Sequence, residues 1–113
     1  MPTVNVYYRD EAQSSRIKEI TPELKEFVAK ELTCGEIALK SDEVSVRLVK
    51  VEGSGMIGEV EVEVSAFAFE ERIKKQDEIC LNLMNFIRAK TKIGDVKAWL
   101  ALCELGHSWK NET

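Results

Sequence analysis

Histidine is nearly absent from this chain of 113 residues, with His107 its single example. Cysteine is scarce as well: Cys34, Cys80 and Cys103 are odd in number and far apart. Neither residue type shows metal-ligand spacing, and scattered, unpaired cysteines predict reduced thiols. Long apolar runs are missing, which excludes a membrane-spanning helix. No apolar segment follows a basic one near Met1, so the reading expects no signal peptide and a cytoplasmic protein. Positive charge is in deficit, with 16 Lys and Arg against 20 Asp and Glu for a net charge of -4. That balance offers no electrostatic reason to bind nucleic acid or an anionic membrane. What remains is ordinary: 44% hydrophobic and 32% charged residues, as in a soluble globular domain. The length predicts one domain over residues 1–113 with a core of its own.

Proline is also rare, at Pro2 and Pro22 only, and both positions matter. Pro2 opens a strand predicted over Thr3–Arg9, with Val4, Val6 and Tyr8 on one face and Thr3, Asn5, Tyr7 and Arg9 on the other. A helix follows, capped by Ser14 or Ser15, on the spacing of Ile17, Ile20, Leu24, Phe27, Val28 and Leu32. Its apolar stripe continues through Pro22, which predicts one kinked helix rather than a late start at Thr21-Pro22. Gly35 ends it. A second strand is expected over Val44–Glu52, a turn at Gly53-Ser54-Gly55, and a third strand over Glu59–Phe69. In the third strand Val60, Val62 and Val64 alternate strictly with Glu59, Glu61 and Glu63. Phe67 and Phe69 continue the glutamate face, so this strand is expected to run from a wet region into a buried one. A second helix is predicted over Arg72–Lys92, its stripe of Cys80, Leu83, Met84 and Ile87 widened by Ile73, Ile79, Leu81 and Phe86 to suggest burial on several sides. A fourth strand, Val96–Leu105, is apolar on both faces, as a central strand would be. Gly106-His107-Ser108 reads as a turn and Trp109 as the start of a tail.

The order is β-α-β-β-α-β, an α+β fold in two β-α-β halves, about 1–52 and 59–105. A helical crossover makes the strands within each half parallel. The expected product is a four-stranded mixed sheet with both helices on one face. That face takes Val4, Val6, Val44, Val46, Leu48, Val60, Val62, Val64, Ala98, Leu100 and Leu102. The opposite face mixes Asn5, Tyr7, Arg9, Ser45, Arg47, Val49, Val51, Glu59, Glu61, Glu63, Phe67, Lys97 and Trp99. It is too apolar for a plain solvated face and too charged for a second core, and it suits sheets from several subunits meeting around a polar interior.

Pro2 also carries chemistry. With Met1 removed it is a terminal secondary amine, and α-amino groups titrate at roughly 7.7–8.0 before any burial lowers them. Such a base is poised for proton transfer near neutral pH. Met-Pro opening a strand, the two halves and the length together resemble the tautomerase superfamily, which includes 4-oxalocrotonate tautomerase, 5-carboxymethyl-2-hydroxymuconate isomerase and macrophage migration inhibitory factor. The local match is Ser45-Val46-Arg47-Leu48-Val49-Lys50-Val51-Glu52 before a glycine-rich turn. The resemblance implies a homotrimer in which Arg47 holds the substrate carboxylate from a neighbouring subunit and Pro2 is the catalytic base. The implied substrate is a small carboxylate such as a 2-keto acid, isomerised without a metal or organic cofactor. Arg9 is a second candidate for substrate binding, since the resemblance implies a cation near that end of strand one, although not at its position. The lysine-isoleucine-glycine segment that often follows strand three in longer tautomerases is replaced here by Ala68-Phe69-Glu70-Glu71-Arg72, and the region Glu71-Arg72…Gln76-Asp77 resembles another bacterial branch.

Two other readings compete. Arg47 also suits a solvated strand arginine pairing with Glu61 or Glu63 across the sheet. The same element order fits a ferredoxin-like binding or regulatory oligomerisation domain without chemistry. An RNA-recognition version is opposed by the acidic balance and by glutamates on the same face as Phe67. Cys103 reads as a packed thiol, and His107 as a surface turn residue rather than a proton shuttle.

Overall fold

The computed structural model describes residues 2–35, 38–53 and 55–104. Met1, the turn residue Ser54, His107 and Trp109 lie outside the described residues. Strand β1 spans Thr3–Tyr8 and helix α1 Glu11–Leu32. A 3-10 turn at Ser41–Glu43 leads into β2, Ser45–Lys50. Strand β3 spans Val60–Phe67, followed by a short α2 at Glu70–Lys74, α3 at Gln76–Thr91 and β4 at Val96–Cys103.

These strands form one four-stranded sheet in the order β2-β1-β3-β4. β1 runs parallel to β2 and antiparallel to β3, and β3 runs parallel to β4. Each half is therefore a β-α-β unit, as the crossover argument requires. The register puts Val46, Val4, Val64 and Leu100 in one row and Leu48, Val6, Val62 and Ala98 in the next. Those side chains form the core with Ile17, Leu24 and Leu32 of α1 and Ile79, Leu83 and Ile87 of α3. The residues predicted to face the helices do so, and Tyr8, Ala66 and Val96 are buried on that face as well.

Several local expectations change. Asp10, not Ser14 or Ser15, caps α1: its carbonyl accepts the Gln13 N–H at 3.0 Å, and the Gln13 side chain accepts the Asp10 N–H at 3.3 Å. Ser14 lies a turn inside, 1% exposed. The helix runs unbroken through Pro22. Proline removes one backbone donor there, and the preceding Thr21 hydroxyl donates to the Ile17 carbonyl at 2.9 Å.

The single second helix is in fact two, broken at Lys75. Each piece has its own anchor. Arg72 of α2 bonds the Leu32 and Phe67 carbonyls, and Gln76 of α3 donates to the Leu100 carbonyl at 3.1 Å. The buried stripe is also narrower than expected, because Ile73 and Leu81 point to solvent, about half exposed. β4 is an edge strand rather than a central one. No described element covers the sheet face opposite the helices, so Phe67 and Trp99 remain 46% and 43% exposed. The expected passage of β3 into a buried region is not made among the described residues. Cys103 is exposed rather than packed, at the end of that edge strand.

Candidate active site

Strand directions decide what gathers around Pro2. β1 begins where β3 ends, because the two are antiparallel. β2 also begins there, and the C-terminal end of α1 precedes it through the connecting turn. Pro2 is buried, and its carbonyl accepts the Ser45 N–H at 3.1 Å. Carrying the register one step past Thr3↔Ser65 sets Pro2 opposite Ala66, beside Phe67. Parity turns it toward the helices, as it does Val4 and Val6.

Arg72 occupies this end of the sheet. It is 4% exposed. Its Nε donates to the Leu32 carbonyl at 2.9 Å and its Nη1 to the Phe67 carbonyl at 3.0 Å. Its guanidinium lies 4.8 Å from the centre of the Phe69 ring. One side chain thus ties the end of α1 to the end of β3. Beside it a cavity of about 190 Å³ opens between Glu31–Gly35 and the α2–α3 segment, with Glu71 and Lys75 in its wall. Gly35 has φ +55 there, and a Cβ on it would come within 3.2 Å of a Glu71 carboxylate oxygen. Sequence reasoning passed over Arg72 as a helix boundary. A signal existed: projecting the Ile87–Leu83–Ile79 stripe back at helical spacing reaches Gln76 and then Arg72.

The sequence-nominated arginines stand elsewhere. Arg47 is exposed on edge strand β2, in register with Asn5. Three residues of extended chain separate that row from Pro2, roughly 10 Å. The expected alternative, a pair with Glu61 or Glu63, does not form. The row reads Arg47, Asn5, Glu63, Trp99, with Asn5 intervening. Glu63 accepts from the Tyr7 hydroxyl at 3.1 Å and the Asn5 amide at 3.4 Å. Glu61 accepts the Ile57 and Gly58 N–H groups. Arg9 is exposed beyond the far end of β1, about seven residues or roughly 23 Å from Pro2. Within one chain, then, Pro2 is not brought together with Arg47 or Arg9.

A second concavity, about 350 Å³, lies on the open sheet face over Tyr7, Glu61, Glu63 and Trp99. Tyr7 and Trp99 line this depression, whereas Tyr8 is buried under the helices. Loss of water around the phenol, and the Glu63 carboxylate it donates to, push the Tyr7 pKa above its usual value. Burial likewise raises that of the Cys80 thiol, with the Asp77 charge adding to it and a backbone contact at Leu100 opposing it. Among the described residues no cluster of three or more His, Cys, Asp or Glu could hold a metal ion. No described helix is long and apolar enough to cross a membrane.

Solved structures supply the comparison. A macrophage migration inhibitory factor-like protein of Entamoeba histolytica superposes over 98% of this chain and 95% of its own, with a TM-score of 0.67 and 15% identity. The chain has the fold of the tautomerase superfamily. N1, a member of the cis-3-chloroacrylic acid dehalogenase family, has the same fold at a TM-score of 0.69 and 7% identity, over 90% of this chain and 75% of that one. A fused 4-OT described as a symmetric trimer matches at 0.59 and 16% identity, over 90% and 85% of the two chains. No family model and no curated protein sequence matches the chain. The tautomerase fold is thus a matter of backbone architecture, at identities that show the fold alone.

Proposed function

We propose that the chain is a tautomerase or isomerase that moves a proton along the carbon framework of a small, carboxylate-bearing substrate of the 2-keto acid kind. Pro2 is the base once Met1 is removed. Its amine takes a proton from the carbon beside the carbonyl, leaving an enolate, and returns that proton to another atom of the same framework. No redox or metal step is required by this balance. Arg47 holds the carboxylate and offsets the enolate charge through a bidentate contact. It does so from a neighbouring subunit of a homotrimer, because within one chain it projects from an exposed edge strand. Arg9 is assigned the same kind of role, toward another subunit's substrate.

The observation that carries this reading is the placement of Pro2. It is buried at the head of a central strand, where α1, β3 and α2 converge. An amine there loses water, which disfavours its protonated form. The test is the mass of protein from its native source before and after treatment at neutral pH with a small carboxylate-bearing alkylating agent, with the modified peptide mapped. Loss of Met1 and selective labelling of Pro2 are expected. Retained Met1 would remove the base and return the chain to the non-catalytic, subunit-pairing reading. In an assay with an accepted 2-keto acid, Pro2→Ala is expected to lower turnover by about 10²–10⁴-fold while the far-UV spectrum stays native. Arg47→Ala is expected to lower kcat/KM chiefly through weaker carboxylate binding.

A further inference from the structure

At the end of β1 far from Pro2, one buried side chain is only half satisfied. Gln13, in the first turn of α1, is 8% exposed. Its Oε1 accepts the backbone N–H groups of Arg9 and Asp10, both at 3.3 Å. Those two donors fix which end of the amide is oxygen. The Nε2 end keeps two N–H donors with no acceptor among the described residues, and it is not sealed from solvent as the Ser14 hydroxyl is. The solvent that reaches it is that of a cavity of about 290 Å³, which Gln13 lines together with Glu59, ahead of β3, and the turn after α3.

Four charges stand in the same wall. Arg16 and Lys92 are cations and Asp10 and Glu59 are carboxylates. None of the four joins an ion pair among the described residues. Arg16 is steadied by its Nη1, which donates to the Thr91 carbonyl at 3.3 Å and spends one of five donors. The formal charges of the wall cancel. A plain anion gains from the cations and loses to the carboxylates, and a plain cation does the reverse. A molecule with one charge of each sign gains from both. The donors on α1 decide its orientation. Gln13 Nε2, Arg16 and the Ala12 N–H, which a first turn leaves without an intrahelical acceptor, all suit a carboxylate. Glu59, from another element, suits a cation. The volume is the liquid share of roughly ten waters, room for a molecule of amino-acid size.

We propose that this cavity binds a free α-amino acid, its carboxylate on Gln13 Nε2 and Arg16 and its ammonium on Glu59. The site binds without reacting. It does not rest on the chemistry assigned to Pro2, from which the whole length of β1 separates it.

The experiment titrates the isotopically labelled full-length protein with L-alanine, L-leucine and L-glutamine in turn. It then uses the two analogues of the tightest binder that lack its ammonium or its carboxylate, which for L-alanine are propionate and ethylamine. Two resonances are followed: the Gln13 side-chain amide, assigned by its loss in Gln13→Glu, and the Gly94 backbone amide, which reads the variants as well. At least one amino acid is expected to shift both saturably, and each one-charge analogue to bind about tenfold more weakly or worse, having lost a charge-assisted contact. Gln13→Glu keeps the oxygen that caps the helix and sets a carboxylate where the ligand's own would lie. It should weaken the amino acid by about tenfold or more while the far-UV spectrum stays native. Glu59→Gln, outside the regular elements, should weaken the amino acid by a similar factor and leave the ammonium-free analogue no weaker. No saturable shift with any of the three amino acids overturns the proposal. So does an affinity unchanged in Gln13→Glu or in Glu59→Gln. An ammonium-free analogue binding as tightly as its parent would mark a plain anion site, and a carboxylate-free one a plain cation site; either result overturns the zwitterion.

Discussion

Ser14 gives the sharpest stability test of the fold. It sits in the second turn of α1, 1% exposed, and its hydroxyl has no hydrogen-bond partner among the described residues. Burying a hydroxyl without a partner costs about 1–3 kcal/mol. Serine is also a poorer helix former than alanine by about 0.5 kcal/mol. Ser14→Ala removes both penalties and deletes only one oxygen from a packed site, which offsets part of the gain through lost contacts. The expected net effect is a stabilisation of about 1–2 kcal/mol, on the order of 4–8 °C in Tm for a domain near this size. Urea unfolding followed by circular dichroism reads it directly, as a higher midpoint with an unchanged slope. An unchanged or lower midpoint would refute the reasoning, since it would mean the hydroxyl is satisfied, by a buried water or by a carbonyl of the preceding turn.

Three further outcomes rest on named contacts. Tyr7 should titrate above the ordinary tyrosine value in an ultraviolet pH titration, and Glu63→Gln should bring it down, since the carboxylate both accepts the phenol hydrogen and repels the phenolate. Because its folded pKa is raised, the stability from the Tyr7 hydroxyl is fully present below the unfolded value of about 10 and is lost as pH rises through the folded one. Gly35→Ala should destabilise by about 1–2 kcal/mol for a side chain at positive φ, measured by urea unfolding; Glu71→Ala in that background should recover only the part due to the close Cβ contact. Phe67→Ser is expected to lower a Tm that itself rises with protein concentration, because subunit burial of this exposed ring is linked to mass action. A Tm independent of concentration, with a loss within about 0.5 kcal/mol as at any solvated site, would speak against the homotrimer.

Local patterns carried the architecture because burial on one face leaves a period. Val60, Val62 and Val64 alternate with glutamates, and the structure buries all three valines. The spacing from Ile17 to Leu32 marked the inner face of α1. The parallel pairing inside each half followed from the crossovers alone. Where two arrangements share one pattern, the sequence reading went wrong. β4 is apolar on both sides, which a central strand needs and which an edge strand with an uncovered face also shows. Asp10 and the serines after it are all good caps, and the choice among them depends on where β1 releases the chain.

The same division holds at the candidate site. Pro2 was nominated from its covalent position next to Met1, and the structure adds that it is buried, on the side of the strand it opens that parity turns to the helices. Arg72 was not, because a charged side chain is tolerated in a core only when distant groups meet it. Its carbonyl partners come from Leu32, at the end of another helix, and from Phe67, at the end of β3. Sequence alone determined which faces turn inward and which strands run together, since periodicity and chain connectivity act residue by residue. Only the tertiary structure decided the order of the strands, the exposure of Phe67 and Trp99, and the gathering of Arg72, Lys75, Glu31 and Glu71 around one cavity, since each of these depends on contacts between residues far apart in the chain.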